Sequence, residues 1–305
     1  MSPDIAASVR QRLKNRARTE NRLFNDLLQY YILERFLYRL GQSAHSRRFV
    51  LKGALMFSVW QGPLLRPTHD IDLAGRTSNT AENIIAVIQD ICHEIVAKDD
   101  GVIFMADSVK AAAILESADY SGLRVTLIAL LGTARVPFHI DIGFGDPITP
   151  GPVPVQLPTL LDFPPPSLRG YNRETVIAEK YHAMVYHGEL NSRLKDFYDA
   201  WLLAEKFEFD GATLAQAIRA TFQWHTTDLV SAPVALSVGF ASNAVRQRGW
   251  TTFLKRSQIT DAPPTFSAVV DALRLFLPPV TRALIEKQAF EQRWLPGGPW
   301  RDPAG

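Results

Sequence analysis

Two hydrophobic periods run through the chain, and they sort it into a strand-rich first half and a helix-rich second half. Apolar residues at helical spacing predict a helix from Phe24, with Leu27, Leu28 and Tyr31 on one face. Glu34, Arg35 and Arg39 are its charged positions and Gly41 its stop. A second helix is predicted over 81–96, where Ile84, Ile85, Ile88, Ile91, Cys92 and Ile95 form the apolar face. Strand signals dominate the rest of this half: the apolar run Phe49-Val50-Leu51, a short strand over 102–105, and Leu123, Val125 and Leu127 alternating within 123–131. In 135–144, RVPFHIDIGF, alternation places Val136, Phe138, Ile140 and Ile142 on one face and Pro137, His139 and Asp141 on the other.

A proline-dense stretch, 147–166, carries one short strand signal at Val153–Val155 and marks the boundary between two predicted domains, 1–165 and 166–305. Beyond it the period is helical. Glu174–His187 and the segment RLKDFYDAWLLAEKF, with Ser192 as its N-cap, are predicted helices, followed by 213–221, 232–247 and 266–277. Pro233, Pro263-Pro264 and Pro278-Pro279 are predicted to break these last helices. Trp224-His225 and Trp250 read as packing residues, and Trp294–Trp300 as an irregular tail.

Composition changes this picture little. At 305 residues, 47% hydrophobic and 21% charged, the chain fits a globular protein with room for two domains. No long uncharged apolar run suggests a membrane span, and the N-terminus does not read as a secretory signal. The single cysteine, Cys92, cannot make an internal disulfide, so a cytoplasmic location is expected, and it reads as a buried small hydrophobe. With a net charge of +2 the protein is no polycation, and any nucleic-acid contact must come from a local patch. Arg10, Arg12, Lys14, Arg16, Arg18 and Arg22 form one, which reads as a solvated helix face or a surface for an acidic partner before it reads as an RNA-backbone contact.

Candidate chemistry concentrates in 49–73, FVLKGALMFSVWQGPLLRPTHDIDL. Asp70 and Asp72, two apart on a strand, aim both carboxylates at one spot, where a divalent cation relieves their repulsion. Upstream, Gly53 stands where a strand turns into a helix, a geometry in which backbone N–H groups approach phosphate. Asp141, a carboxylate among apolar neighbours on a central strand, suggests a further metal or hydrogen-bonded role. No histidine is assigned to a metal: His182 and His187 are five apart, and His69 points away from both carboxylates.

Lys52-Gly53-Ala54 followed by Arg66-Pro67-Thr68-His69-Asp70-Ile71-Asp72-Leu73 resembles the nucleotidyltransferase signature of the polymerase-beta-like superfamily, and within it the AbiEii/AbiGii toxin family that includes the MenT toxins. Ala54 stands where that family carries a second glycine or a serine. Ile142-Gly143-Phe144-Gly145-Asp146, Glu174–Lys180 and Asn191–Asp199 resemble further motifs of the same family. The resemblance implies an α+β fold: a mixed sheet flanked by helices, then a mainly helical domain. It implies a toxin of a type IV toxin–antitoxin pair that transfers NMP from an NTP to RNA, the acceptor being a tRNA 3′ end, with a cognate antitoxin as partner. Asp70, Asp72 and Asp141 would hold Mg²⁺ or Mn²⁺, Lys52, Gly53, Arg66 and Thr68 would cradle the nucleotide, and Lys180 and Asp196 would complete the catalytic set. Two other readings stay open: transfer to a protein hydroxyl, and a nucleotide-binding or antitoxin-docking protein without turnover.

Overall fold

The structure is a computed structural model and describes residues 4–61, 68–117 and 120–303. Arg66, one of the predicted phosphate-binding residues, lies outside the described residues. The chain forms two compact units: residues 1–145 with 153–171, and residues 146–152 with 172–305.

The first unit runs α1 (Ile5–Thr19), α2 (Phe24–Gln42), β1 (Phe49–Lys52), α3 (Leu55–Gln61), β2 (Asp70–Gly75), α4 (Ala81–Cys92), β3 (Val102–Phe104), β4 (Lys110–Ser117), β5 (Tyr120–Leu131), β6 (Ala134–Phe144), β7 (Val153–Gln156) and β8 (Ser167–Gly170). Its eight described strands make one mixed sheet in the order β3-β5-β6-β2-β1-β8-β7, with β4 on β5. The strands β2 and β6 run parallel, whereas β1 on β2 and β5 on β6 are antiparallel. One face of these central strands is dry. Ile71, Leu73, Ile140 and Ile142 are buried there in a single cluster with Leu33, Phe36 and Leu37 of α2 and Ile84, Ile88 and Ile91 of α4.

Three sequence expectations change here. Helix α2 is not half-solvated: Glu34, Arg35 and Arg39 are all buried. Burial forces each into a partnership. Arg39 donates to both carboxylate oxygens of Asp100, at 2.8 and 3.0 Å. Glu34 accepts from the Leu160 N–H at 2.7 Å and lies 2.7 Å from the Arg35 guanidinium. Nor does Gly41 end the helix. A Cβ there would sit 2.6 Å from the Ser167 carbonyl, so glycine serves the close approach of β8. Helix α4 stops at Cys92, leaving Ile95 exposed rather than on the apolar face. Strands β4 and β8 had no sequence signal.

Glu34 makes stability sensitive to pH. Burial pushes its carboxyl from the usual 4.5 up to about 7, against the pull of Arg35. The folded state then holds this proton more tightly than the unfolded chain does. Its contribution is present below pH 4.5 and is lost as pH rises through about 7. Urea midpoints of the wild type should fall across that window, whereas Glu34→Gln, with no proton to lose, should show a flatter profile.

The second unit runs α5 (Arg173–His187), α6 (Leu194–Lys206), β9 (Phe209–Asp210), α7 (Gly211–Trp224), α8 (Val238–Ala241), α9 (Ala244–Arg256), α10 (Phe266–Ile285), β10 (Arg293–Trp294) and β11 (Trp300–Arg301). Helix α6 is not capped by Ser192; the Asn191 side chain accepts from the Arg193 N–H instead, at 2.8 Å. The predicted 232–247 helix is broken by two cap residues, Ser237 and Asn243. Helix α10 continues through Pro278-Pro279. The carbonyls these prolines leave unbonded belong to Arg274 and Leu275, both exposed, so water can satisfy them. The tail is ordered: β10 pairs with β9 and β11, and Trp294 is buried with its indole N–H on the Ala204 carbonyl at 2.7 Å.

Candidate active site

Sheet register in the first unit builds the site. Across β5-β6-β2-β1, Arg124 pairs with Asp141, Asp141 with Asp72, and Asp72 with Lys52. Register partners project from the same face. The result is a row of charges, plus-minus-minus-plus, on the face opposite Ile71 and Ile140. A second row lies two residues along, where Thr126 pairs with His139 and His139 with Asp70. Alternating apolar residues hold the strands by their buried face, which leaves the polar set fixed on the other.

Asp70 is oriented from both sides. Its Oδ1 accepts from the Thr68 hydroxyl at 2.8 Å, and its Oδ2 lies 3.6 Å from His139 Nε2. Asp141 accepts from Arg124 through both oxygens, at 2.8 and 2.6 Å. That hydrogen bond, helped by the charges of Asp141, Asp70 and Asp72, holds the Arg124 pKa above its usual value. One ligand atom each from Asp70, His139 and Asp141 lie within 4.8 Å of one another. Asp72 sits beside Asp141 in the register and is half-buried.

Gly53 explains how the turn after β1 reaches these carboxylates. Its φ is +70°, and a Cβ there would fall 1.8 Å from Asp72 Oδ2. The turn passes directly over the acid, and only glycine allows both the backbone angle and the approach. Gly53→Ala should therefore lower stability by about 1–3 kcal/mol and abolish activity by displacing Asp72. A urea titration and a transfer assay on the same preparation check both parts; a variant with wild-type activity would overturn the assignment.

The helical unit holds a separate charged cluster. Lys180 of α5 lies 2.9 Å from Asp196 and 2.8 Å from Asp199, one helical turn apart on α6, and Arg193 lies 2.6 Å from Asp196. Both aspartates are buried. Burial would raise the Asp196 pKa, but Lys180 and Arg193 outweigh it and hold the carboxyl at about 2. Burial would likewise strip the proton from Lys180, and the two aspartates more than reverse that.

The strand patterns and the family resemblance together place Asp70, Asp72, Asp141, Lys52, Gly53 and Thr68 in one site; the register sets Asp70, Asp72, Asp141 and Lys52 on one face of the sheet, with Gly53 over Asp72 and Thr68 bonded to Asp70. The sequence assigns no part to His139 or Arg124. The available signal is alternation: His139 shares the polar face of its strand with Asp141, and Arg124 falls between apolar Leu123 and Val125. Three of the six basic residues of the N-terminal run have polar partners. Arg10 donates to Thr133, Arg12 pairs with Asp162, and Arg16 bonds the Leu160 carbonyl and Glu20.

A family model described as nucleotidyl transferase AbiEii toxin of type IV toxin–antitoxin systems matches residues 35–272. The chain belongs to this family. It is accordingly a nucleotidyltransferase, with an NTP as substrate and an antitoxin as the partner its family implies. Among solved structures, JHP933 from Helicobacter pylori shares 15% identity at a TM-score of 0.48, covering 86% of this chain and 94% of that one. A candidate nucleotidyltransferase from H. pylori also shares 15% identity, at a TM-score of 0.46, covering 87% and 99%. At that distance neither carries an argument about chemistry. No curated protein matches the chain significantly. Among the described residues of this AbiEii-family protein, no helix is long and apolar enough to cross a membrane.

Proposed function

We propose that this AbiEii-family enzyme transfers a nucleoside monophosphate from an NTP to the 3′ hydroxyl of a tRNA, in a metal-dependent reaction. The observation that carries the reading is the charge row itself: Asp72 and Asp141 side by side, Asp70 one pleat away, and the Gly53 turn laid against them. Adjacent carboxylates on a rigid sheet repel unless something cationic joins them, and hard oxygen donors suit a divalent cation. Such a cation, when bound, screens the triphosphate and lowers the pKa of an attacking hydroxyl.

Asp70, Asp72 and Asp141 would hold one or two divalent cations, and Thr68 fixes the Asp70 carboxylate for that task. Arg124 neutralises Asp141 through both of its oxygens; were Asp141 to take a cation, the guanidinium beside it would be suited to a phosphate oxygen. The backbone N–H groups of the Gly53 turn and the Lys52 ammonium would receive the triphosphate. In the step itself, the acceptor oxygen bonds to the α-phosphorus as the bond to the bridging oxygen breaks. The acceptor's proton goes to solvent or a carboxylate, and pyrophosphate leaves. By family resemblance Lys180 would hold the triphosphate, and Asp196 would orient that lysine or act as a base. The tRNA acceptor rests on the same resemblance.

The test offers purified protein each α-labelled NTP in turn, with total tRNA and Mg²⁺ or Mn²⁺. Label on tRNA with one nucleotide is expected. Label on protein bands would move the acceptor to a protein hydroxyl. Nucleotide binding without label anywhere would leave a binding protein without turnover.

A further inference from the structure

The donor set of the proposed metal site is not all oxygen. His139 shares its strand face with Asp141, stands opposite Asp70 in the β2–β6 register, and turns Nε2 toward Asp70 Oδ2 at 3.6 Å. With Asp70 and Asp141 it offers three ligand atoms within 4.8 Å of one another. Two ligands on one metal, each at ~2.1 Å, span at most about 4 Å, so small side-chain rotations bring this set to a common ion. All three side chains are partly exposed, which leaves room for that rotation and for entry of an ion from solvent. Thr68 holds Asp70 by the oxygen that faces away from His139, leaving Oδ2 for the shared position.

We propose that His139 is a metal ligand, and that its nitrogen makes this site select a first-row transition-metal dication such as Mn²⁺ over Mg²⁺. The inference rests on the reading of Asp70 and Asp141 as metal-binding carboxylates and adds the identity of the ion. Mg²⁺ is small, dehydrates reluctantly and takes oxygen ligands. Imidazole binds first-row transition-metal dications better than it binds Mg²⁺, with Mn²⁺ the weakest of that series, so a two-carboxylate, one-imidazole set discriminates by ligand type where an all-carboxylate set would not. No other described histidine joins such a group. The nitrogen signature is therefore assignable to one residue.

The experiment uses the full chain with sub-stoichiometric Mn²⁺. Pulsed electron paramagnetic resonance reads whether a ¹⁴N nucleus is bound to the metal, and Mg²⁺ competition gives the ratio of affinities. His139→Gln is the informative variant, because it exchanges the nitrogen donor for an amide oxygen at similar size; its thermal melt verifies folding. Wild-type protein should show the directly bound nitrogen. In His139→Gln that coupling should vanish, and the Mn²⁺ preference over Mg²⁺ should fall by about tenfold or more. Bound Mn²⁺ with no nitrogen coupling, or a variant whose Mn²⁺ and Mg²⁺ affinities fall equally, would overturn the proposal while leaving the carboxylate site intact. Absence of Mn²⁺ binding to the wild type would overturn both this proposal and the metal reading beneath it. Asp70→Asn separates them further: it should weaken both ions.

Discussion

Asp72→Asn should reduce nucleotide transfer by at least about a thousandfold while the protein stays folded. The substitution keeps the size of the side chain, so the close passage of the Gly53 turn over Oδ2 is preserved. What disappears is one negative charge from a row in which Asp72 lies between Asp141 and Lys52. On the proposed reading of Asp72 as a metal-binding carboxylate, its loss removes several kcal/mol of transition-state charge stabilisation, and about 4 kcal/mol corresponds to a thousandfold in rate. Initial rates at saturating NTP and metal, beside a thermal melt, measure both halves of the expectation. A folded variant retaining a tenth of wild-type activity would remove Asp72 from the catalytic set.

Lys180→Ala is expected to act first on stability, by at most about 3–5 kcal/mol. Its ammonium is the shared partner of Asp196 and Asp199, both buried, and truncation leaves two carboxylates facing each other across one helical turn. Arg193 remains for Asp196, so the loss falls short of a fully uncompensated pair. A double-mutant cycle gives the sharper reading. Asp199→Asn in the Lys180→Ala background should recover part of the loss, because one buried charge goes with it. The pH dependence has a definite sign. Asp196 is held at about 2, below its usual 3.8, so its contribution is present above the ordinary carboxylate range and is lost as pH falls through about 2. Lys180 is raised above its usual 10.5, so its share is present below that value and is lost only in stronger alkali. Denaturation midpoints for the two variants, taken at neutral pH, decide the matter; a Lys180→Ala protein as stable as wild type would show that the lysine's charge is not needed for the fold.

Several features are legible in the amino-acid order alone. The period-two alternation in 135–144 separates Ile140 and Ile142 from His139 and Asp141, and the dry face of the sheet follows that division. Gly53 is legible for a related reason: a strand-to-helix turn of this kind needs a positive φ, which glycine supplies most readily. Other features are hidden because their causes lie far along the chain. Glu34, Arg35 and Arg39 look like a solvated helix face until Leu160, Asp100 and Pro164 arrive to satisfy them. Trp294 and Trp300 look like a loose tail until β9 offers an edge to pair with.

The sequence by itself determined which residues face which way. Side-chain direction along a strand or helix depends on local geometry and on burying the apolar set, so the carboxylates at 70, 72 and 141 were bound to emerge on polar faces. Only the tertiary structure decided their neighbours. Arg124 on Asp141, His139 beside Asp70 and Lys52 beside Asp72 are products of register between strands 17 to 69 residues apart in sequence. The two-residue turn between β5 and β6 fixes the first of these, whereas the register of β2 on β6 and on β1 is set by the packing of the whole dry face, which no local period records.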